Sequence, residues 1–215
     1  MRRILLILLA LALFLLAGCS RNEDIYAQVP NPIATITLSD GQVMRFELDF
    51  QAAPNTVANF CQLAQSGFYD GQKFFRVVPG VLIQSGDPTG DGTGNAGYAI
   101  QGEFSENGIE NMISHVRGTI SMCRTVNPDS ASSQFFIMQG TYPEYDGCYA
   151  GFGHAMDEAT IAAIDTIASV MVDSNFSPLV RVPSIHTVEV NTHGYTLEAA
   201  TMELPETEES EENAQ

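Results

Sequence analysis

Apolar and polar residues alternate with a period of two along residues 33–38 and again along 43–48. Ser39-Asp40-Gly41 between them supplies turn chemistry, so the pair predicts a β-hairpin. Pro54 then opens a stretch in which Val57, Phe60, Cys61 and Ala64 recur at helical spacing, and Gly67 closes it. Cys61 falls on that apolar stripe, which predicts a buried, inert thiol. Residues 74–78 and 81–83 are short apolar runs joined by Pro79-Gly80, the punctuation of two strands meeting in a tight turn. Strand-like runs follow at 119–122 and 134–138, with Asn127-Pro128-Asp129-Ser130 as a turn signal between them. Ile161, Ile164, Ile167 and Ala168 mark one face of a second helix over 158–170, and residues 185–191 alternate as a closing strand. Two helices and many short strands without βαβ alternation predict a mainly β chain closed into an antiparallel barrel.

The two ends of the chain do not fit that pattern. Arg2-Arg3 precede an unbroken apolar run over residues 4–16, too short for a comfortable bilayer span and ending in small residues, so residues 1–18 read as a secretory signal. Leu16-Ala17-Gly18-Cys19 resembles the bacterial lipobox, which implies cleavage before Cys19 and lipid attachment to it. A plain signal peptide or an uncut membrane anchor is the alternative. On the lipoprotein reading the protein is extracytoplasmic and lipid-anchored to a bacterial membrane. Residues 19–32 are polar, interrupted by two prolines, and read as a tether. Residues 33–194 form one domain with a sizeable core. Residues 195–215 turn glutamate-rich, and an acidic disordered tail is expected there.

The formal net charge is −17, with Lys73 the only lysine. That balance repels nucleic acid, so DNA and RNA are not expected partners. The glycine-rich stretch 86–97 invites three assignments and supports none of them. No Gly-Lys-Ser/Thr follows, as a phosphate loop requires. No helix opens after it, as a dinucleotide fingerprint requires. Asp87, Thr89 and Asp91 mimic an EF-hand start, but Tyr98 stands where the bidentate glutamate belongs. No metal or cofactor is expected.

Arg76 inside the first short apolar run and Gln84 at the end of the second place a cation and an amide on a rigid, greasy surface. That surface suits an extended peptide presenting a carbonyl beside an apolar ring. An ordinary half-buried arginine paired with a carboxylate is the competing account, and these residues alone leave both open.

Further segments separate the two. Phe75-Arg76-Val77-Val78-Pro79-Gly80, Gln84-Ser85-Gly86-Asp87-Pro88-Thr89, Ser121-Met122-Cys123-Arg124-Thr125 and Ser133-Gln134-Phe135-Phe136-Ile137 resemble the signature segments of cyclophilin-type peptidyl-prolyl cis-trans isomerases, in their order and spacing. The resemblance covers roughly residues 33–191 and looks nearest to the single-domain bacterial branch. It implies a closed eight-stranded barrel capped by two helices. It also implies an enzyme that speeds rotation about X-Pro bonds in unfolded or partly folded polypeptides, without cofactor. By the same resemblance Arg76, Gln84 and Phe136 are catalytic, Leu82, Phe136 and Tyr145 floor the proline pocket, and Gln134 supports the groove. Cys123 lies in a groove-lining segment, and Arg124 holds substrate through its backbone groups.

Three positions depart from the family pattern. Val81 stands where a pocket phenylalanine is usual, Glu144 where some members carry tryptophan, and Tyr149 where histidine is frequent. The missing tryptophan implies weak inhibition by cyclosporin, and Tyr149 is expected to act as an aromatic wall. A low-turnover proline-peptide binding or holdase module on the same fold is the alternative function. His115 is expected to be a structural hydrogen-bonding residue. Cys61, Cys123 and Cys148 remain after lipidation of Cys19, and free thiols are expected. A Cys123–Cys148 disulfide is the alternative. A monomer is the default.

Overall fold

The structure, a computed structural model, describes residues 30–205. The signal segment 1–18, Cys19, most of the tether and residues 206–215 lie outside the described residues. Among the described residues no helix is long and apolar enough to cross a membrane.

The period-two alternation folds as expected. β1 (Ile33–Leu38) buries Ala34, Ile36 and Leu38, and β2 (Val43–Leu48) buries Met44, Phe46 and Leu48. The two pair antiparallel with Ile36 opposite Met44, and the turn is closed by Gly41 N donating to Leu38 O at 2.9 Å. α1 (Pro54–Gln65) starts on its proline and turns Val57, Phe60, Cys61 and Ala64 inward. Phe60 then meets Tyr69, Phe135 and Phe152 with ring centroids 5.1–5.5 Å apart, an aromatic centre for the core. Its free helix N–H groups are met by Glu103, a buried carboxylate accepting from Asn55 N at 3.0 Å and Thr56 N at 2.7 Å. That pairing neutralises two orphan donors and sets a negative charge at the positive end of the helix dipole.

β3 (Arg76–Val78) and β4 (Leu82–Ser85) form the second hairpin, β5 (Thr119–Met122) and β6 (Phe135–Met138) the third. β7 (Gly151–Ala155) was not marked by the hydrophobic pattern. α2 (Glu158–Ala168) ends two residues short of the expected boundary and is capped by Asp157, whose Oδ1 accepts from Thr160 N at 2.8 Å. β8 (Ile185–Asn191) completes the sheet in the order β3-β4-β6-β5-β7-β2-β1-β8.

The expected closed barrel is therefore corrected to an open, curled sheet whose edges are β3 and β8. β3 is only three residues long and has three rungs to β4. Its outer edge is taken by a loop instead of a strand, with Val77 N donating to Phe176 O at 2.8 Å. The start of β8 is likewise met by the turn at Gly71-Gln72, through Gly71 N to Ile185 O and Ile185 N to Gln72 O, both 2.8 Å. Loops satisfy these edges before an eighth ladder, between β3 and β8, can form.

The acidic tail needs a second correction. Residues 195–205 pack back on the domain: Leu197 is buried, Ala200 exchanges two hydrogen bonds with the Asn55 amide, and Met202 pairs with Ala99. Apolar residues precede the glutamates here, and they supply a face to bury.

Candidate active site

Strand register builds the site. Arg76 lies opposite Gln84, Gln84 opposite Phe136, and Phe136 opposite Ser121, one row crossing β3, β4, β6 and β5. Side chains opposite one another share a face, and neighbouring strands are about 4.8 Å apart. The alternate residues Val77, Ile83, Ile137 and Ile120 point the other way into the main core. The Phe-Phe pair divides accordingly, Phe135 into the core and Phe136 into a separate apolar cluster with Leu82 and Met138. A rigid sheet thus holds a cation, an amide and a ring side by side.

A hydrogen-bond relay fixes their orientation. Arg76 Nη1 donates to Gln84 Oε1 at 3.1 Å, and Gln84 Nε2 donates to Gln134 Oε1 at 3.0 Å. Gln134 Nε2 donates in turn to the carbonyls of Gly92 and Gly94, at 3.0 and 2.8 Å. Those carbonyls are aimed by the glycine-rich loop, which is wound around Asp87. That buried carboxylate accepts from Thr89 N at 2.8 Å, Asp91 N at 3.0 Å and Gly92 N at 2.5 Å. Burial works to raise the Asp87 carboxyl, but bonds from Thr89, Gly92 and Gly90 outweigh it and hold it below the usual range. The loop leaves β4 at Gly86, with φ +89°, where a Cβ would meet the Ser133 carbonyl at 2.2 Å.

No ion pair involves Arg76 among the described residues, so the account of it as an arginine tied up by a carboxylate fails. Its guanidinium instead lies 5.7 Å from the centre of the Phe176 ring.

The aromatic wall comes from the turn after β6. Phe136 meets Tyr145 and Tyr149 edge to face, centroids 6.0 and 5.5 Å away, and the two tyrosines are 5.3 Å apart. His115 sits behind all three rings, 1% exposed, stacked on Phe136 at 5.9 Å. Its Nδ1 is 3.1 Å from Asp146 and its Nε2 is 3.0 Å from Ser121 Oγ. Burial lowers the His115 pKa, and Asp146 only partly offsets it.

These groups line a cleft of about 640 Å³, to which Arg76, Leu82, Gln84, Cys123, Arg124, Phe136, Tyr145 and Tyr149 all contribute. Gln134 lines an adjoining cleft that shares Gln84 and Cys123 with the first. Val81 lines neither cleft and packs into the apolar cluster under Leu82 and Phe136. The Arg124 side chain turns back on the fold, donating from Nε to Cys148 O at 3.0 Å between the rings of Phe104 and Tyr149. Glu144 is exposed. Cys61, Cys123 and Cys148 are free thiols, and burial pushes Cys123 up to about 12, well away from a reactive thiolate.

Sequence reading gave Phe75 and Asp91 no site role and missed Asn175 and Ser177, all of which line the cleft. The last two belong to the loop docked on β3, a segment with no periodicity to reveal it. Among the described residues no group of His, Cys, Asp or Glu is placed to hold a metal ion.

A cation oriented by an amide, with no ion pair among the described residues and beside an apolar box, suits binding and electrostatic work on an uncharged chain. Comparison with known proteins gives the family. Residues 33–190 match the family model for cyclophilin type peptidyl-prolyl cis-trans isomerase. The peptidyl-prolyl cis-trans isomerase B of Bacillus subtilis is 45% identical over 116 residues, 54% of this chain and 78% of that protein. The Synechococcus elongatus peptidyl-prolyl cis-trans isomerase is 42% identical over 115 residues, 54% of this chain and 74% of that one. A crystal structure of a Cryptosporidium parvum cyclophilin type isomerase superposes with a TM-score of 0.66 at 27% identity, covering 75% of this chain and 98% of that one. The sheet order, the row of Arg76, Gln84 and Phe136, and these likenesses converge: the chain belongs to the cyclophilin-type peptidyl-prolyl cis-trans isomerase family.

Proposed function

We infer that this cleft catalyses cis-trans rotation about X-Pro bonds, with Arg76 as the group that lowers the barrier. Amide resonance opposes the rotation by about 18–20 kcal/mol, and the uncatalysed step takes tens to hundreds of seconds. No covalent bond is made or broken, so the site needs no nucleophile. It needs a donor that is better matched to the twisted amide than to either planar form. As the bond twists, the prolyl nitrogen recovers its lone pair and becomes a hydrogen-bond acceptor. The Arg76 guanidinium is a permanent charge with several N–H donors, and Gln84 holds one edge of it by accepting from Nη1. Phe136, Leu82 and Tyr145 grip the ring while the other side of the bond turns, and Gln84 and the backbone at Arg124 hold the flanking chain.

The observation that carries the reading is the orientation of Arg76 by Gln84 in the same strand row as Phe136, with no ion pair to Arg76 among the described residues. Exchange spectroscopy on a short X-Pro peptide tests it. Wild-type protein is expected to accelerate exchange, and Arg76→Ala to lose most of that acceleration. A wild type that binds the peptide yet leaves its exchange rate unchanged would establish the holdase alternative.

The clients we propose are proline-containing polypeptides folding outside the cytoplasm, met by a monomer tethered through lipid on Cys19. Support for the tether is the sequence Leu16-Ala17-Gly18-Cys19 behind a basic start and an apolar run. With no tryptophan in the chain and Glu144 exposed, weak inhibition by cyclosporin is expected.

A further inference from the structure

One aromatic residue in the loop docked on β3 has a backbone conformation that its side chain disfavours. Phe176 takes φ +63°, in the left-handed region that favours glycine. Among the described residues His193 is the only other non-glycine residue with positive φ. A bulky residue stays there only where its surroundings over-determine it, and such positions gather at working sites. Residues 171–179 form a small hairpin in which Val172 bridges Pro178 and Asp173 N donates to Ser177 O at 3.0 Å. Asp173 Oδ1 accepts from Asn175 N at 2.8 Å and Ser177 N at 2.9 Å, and Phe176 N donates to Asp173 O at 3.1 Å, which closes the tip. Phe176 O accepts from Val77 N at 2.8 Å and so locks the tip against β3, one residue from Arg76.

Burial does not explain the ring, which belongs to a residue 40% exposed. What the ring meets is the Arg76 guanidinium, 5.7 Å from its centre. Asn175 and Ser177 on either side line the catalytic cleft and Phe176 does not, so ring and cation meet beside the space that a substrate fills. Gln84 Oε1 meanwhile accepts from Arg76 Nη1. A ring face attracts a guanidinium through its quadrupole and leaves the N–H donors free, whereas a carboxylate would accept from them. The one carboxylate of the tip, Asp173, makes no ion pair with Arg76, and its Oδ1 is spent on the tip itself. We propose that Phe176 is a positioning residue for the isomerisation: its ring backs the Arg76 guanidinium and narrows it to the pose that donates to the twisted prolyl nitrogen. The strained backbone turns the ring toward β3. The proposal rests on the isomerase reading above and deepens it, giving Arg76 a second orienting partner besides Gln84.

The test compares wild type, Phe176→Leu, Phe176→Gly and Phe176→Tyr, each also combined with Arg76→Ala, on the tetrapeptide Ala-Ala-Pro-Phe as its anilide. Aim matters in the transition state, so kcat is expected to fall about fivefold in Phe176→Leu with KM unchanged, the size of a partly exposed cation–π contact. Phe176→Gly suits the positive φ and keeps the carbonyl that accepts from Val77 N, so it should lose the same rate with the loop still docked and no fall in denaturation midpoint below that of Phe176→Leu. Phe176→Tyr keeps the ring and should keep most of the rate. In the Arg76→Ala background none of the three should change the residual rate, because the ring acts through the guanidinium. Wild-type kcat in Phe176→Leu or Phe176→Gly overturns the proposal, as does an equal loss in Phe176→Tyr. So does a loss that persists in the Arg76→Ala background, or a rise in KM at constant kcat, which would make the ring a substrate contact. An inactive wild type, or an Arg76→Ala protein with the wild-type rate, would instead defeat the isomerase reading, which keeps the two failures apart.

Discussion

On the proposed reading Arg76 carries the chemistry, and the residues around it decide whether it is aimed. Removing one preorganised donor from a site of this kind typically costs about 10²–10³ in rate. Arg76→Ala should fall in that range with the fold intact, because the side chain is only half-buried and leaves no buried charge unpaired. Gln134→Ala is expected to act at one remove, freeing the Gln84 amide and lowering the rate by about tenfold, measured with the same peptide. His115 gives a pH signature. Burial holds its pKa below the ordinary 6.5, against Asp146, while His154 adds to the lowering and Tyr145 and Tyr149 face the ring. The unfolded chain therefore takes up this proton first as pH falls. Stability from burying the neutral ring is complete above about pH 6.5 and is lost as pH drops toward the folded-state pKa. Thermal unfolding should show a midpoint that falls as pH drops below about 6.5, and His115→Gln should remove that slope. A slope that persists in the variant assigns it elsewhere. The lowered carboxylates of Asp157 and Asp165 act only below about 3.8, a separate window. Arg76, Gln84 and Phe136 were legible because their segments carry family signatures. The reach of His115 to three rings was not, since a lone histidine has no pattern that reveals its neighbours.

At the scale of elements, what the sequence revealed followed local periodicity closely. The first hairpin, both helices and the strands around Pro79-Gly80 were readable because each buries a face that local spacing announces. β7 was not, because Gly151 and Gly153 erase the alternation. Gly153 is there for proximity: a Cβ on it would meet the Glu47 carbonyl at 2.5 Å, so only glycine lets β7 lie against β2. Nor could closure of the barrel be judged locally, since it depends on what meets the outer edges of β3 and β8. The helix caps give a stability test. Asp157→Ala removes one capping acceptor from α2 and should cost about 1 kcal/mol in chemical denaturation. Glu103→Ala strands two N–H groups of α1, the Thr56 one buried and the Asn55 one half-buried, and should cost more, about 2 kcal/mol. Equal or negligible losses would show that water replaces the Glu103 carboxylate.

Over the whole molecule, a net charge of −17 favours solubility and rejects polyanions, while the cleft sets Arg76 among aromatic rings. Substrate capture then depends on the cleft, since a chain this acidic offers no general attraction for an uncharged peptide. Lipid on Cys19 would confine that activity to a membrane surface. Produced in a bacterium, the wild type should sediment with membranes and Cys19→Ala should stay soluble; identical partitioning would contradict the tether. The central claim is that Arg76 recognises the twisted amide more strongly than the planar one, and separating affinity from rate tests it most directly. Peptide Kd and catalysed exchange rate are measured for wild type, Arg76→Lys and Arg76→Ala. The account predicts Kd values within about threefold of one another, with the rate falling about 100-fold in Arg76→Ala and only partly kept by lysine. An Arg76→Ala protein that isomerises at the wild-type rate, or loses rate only in proportion to affinity, would contradict it.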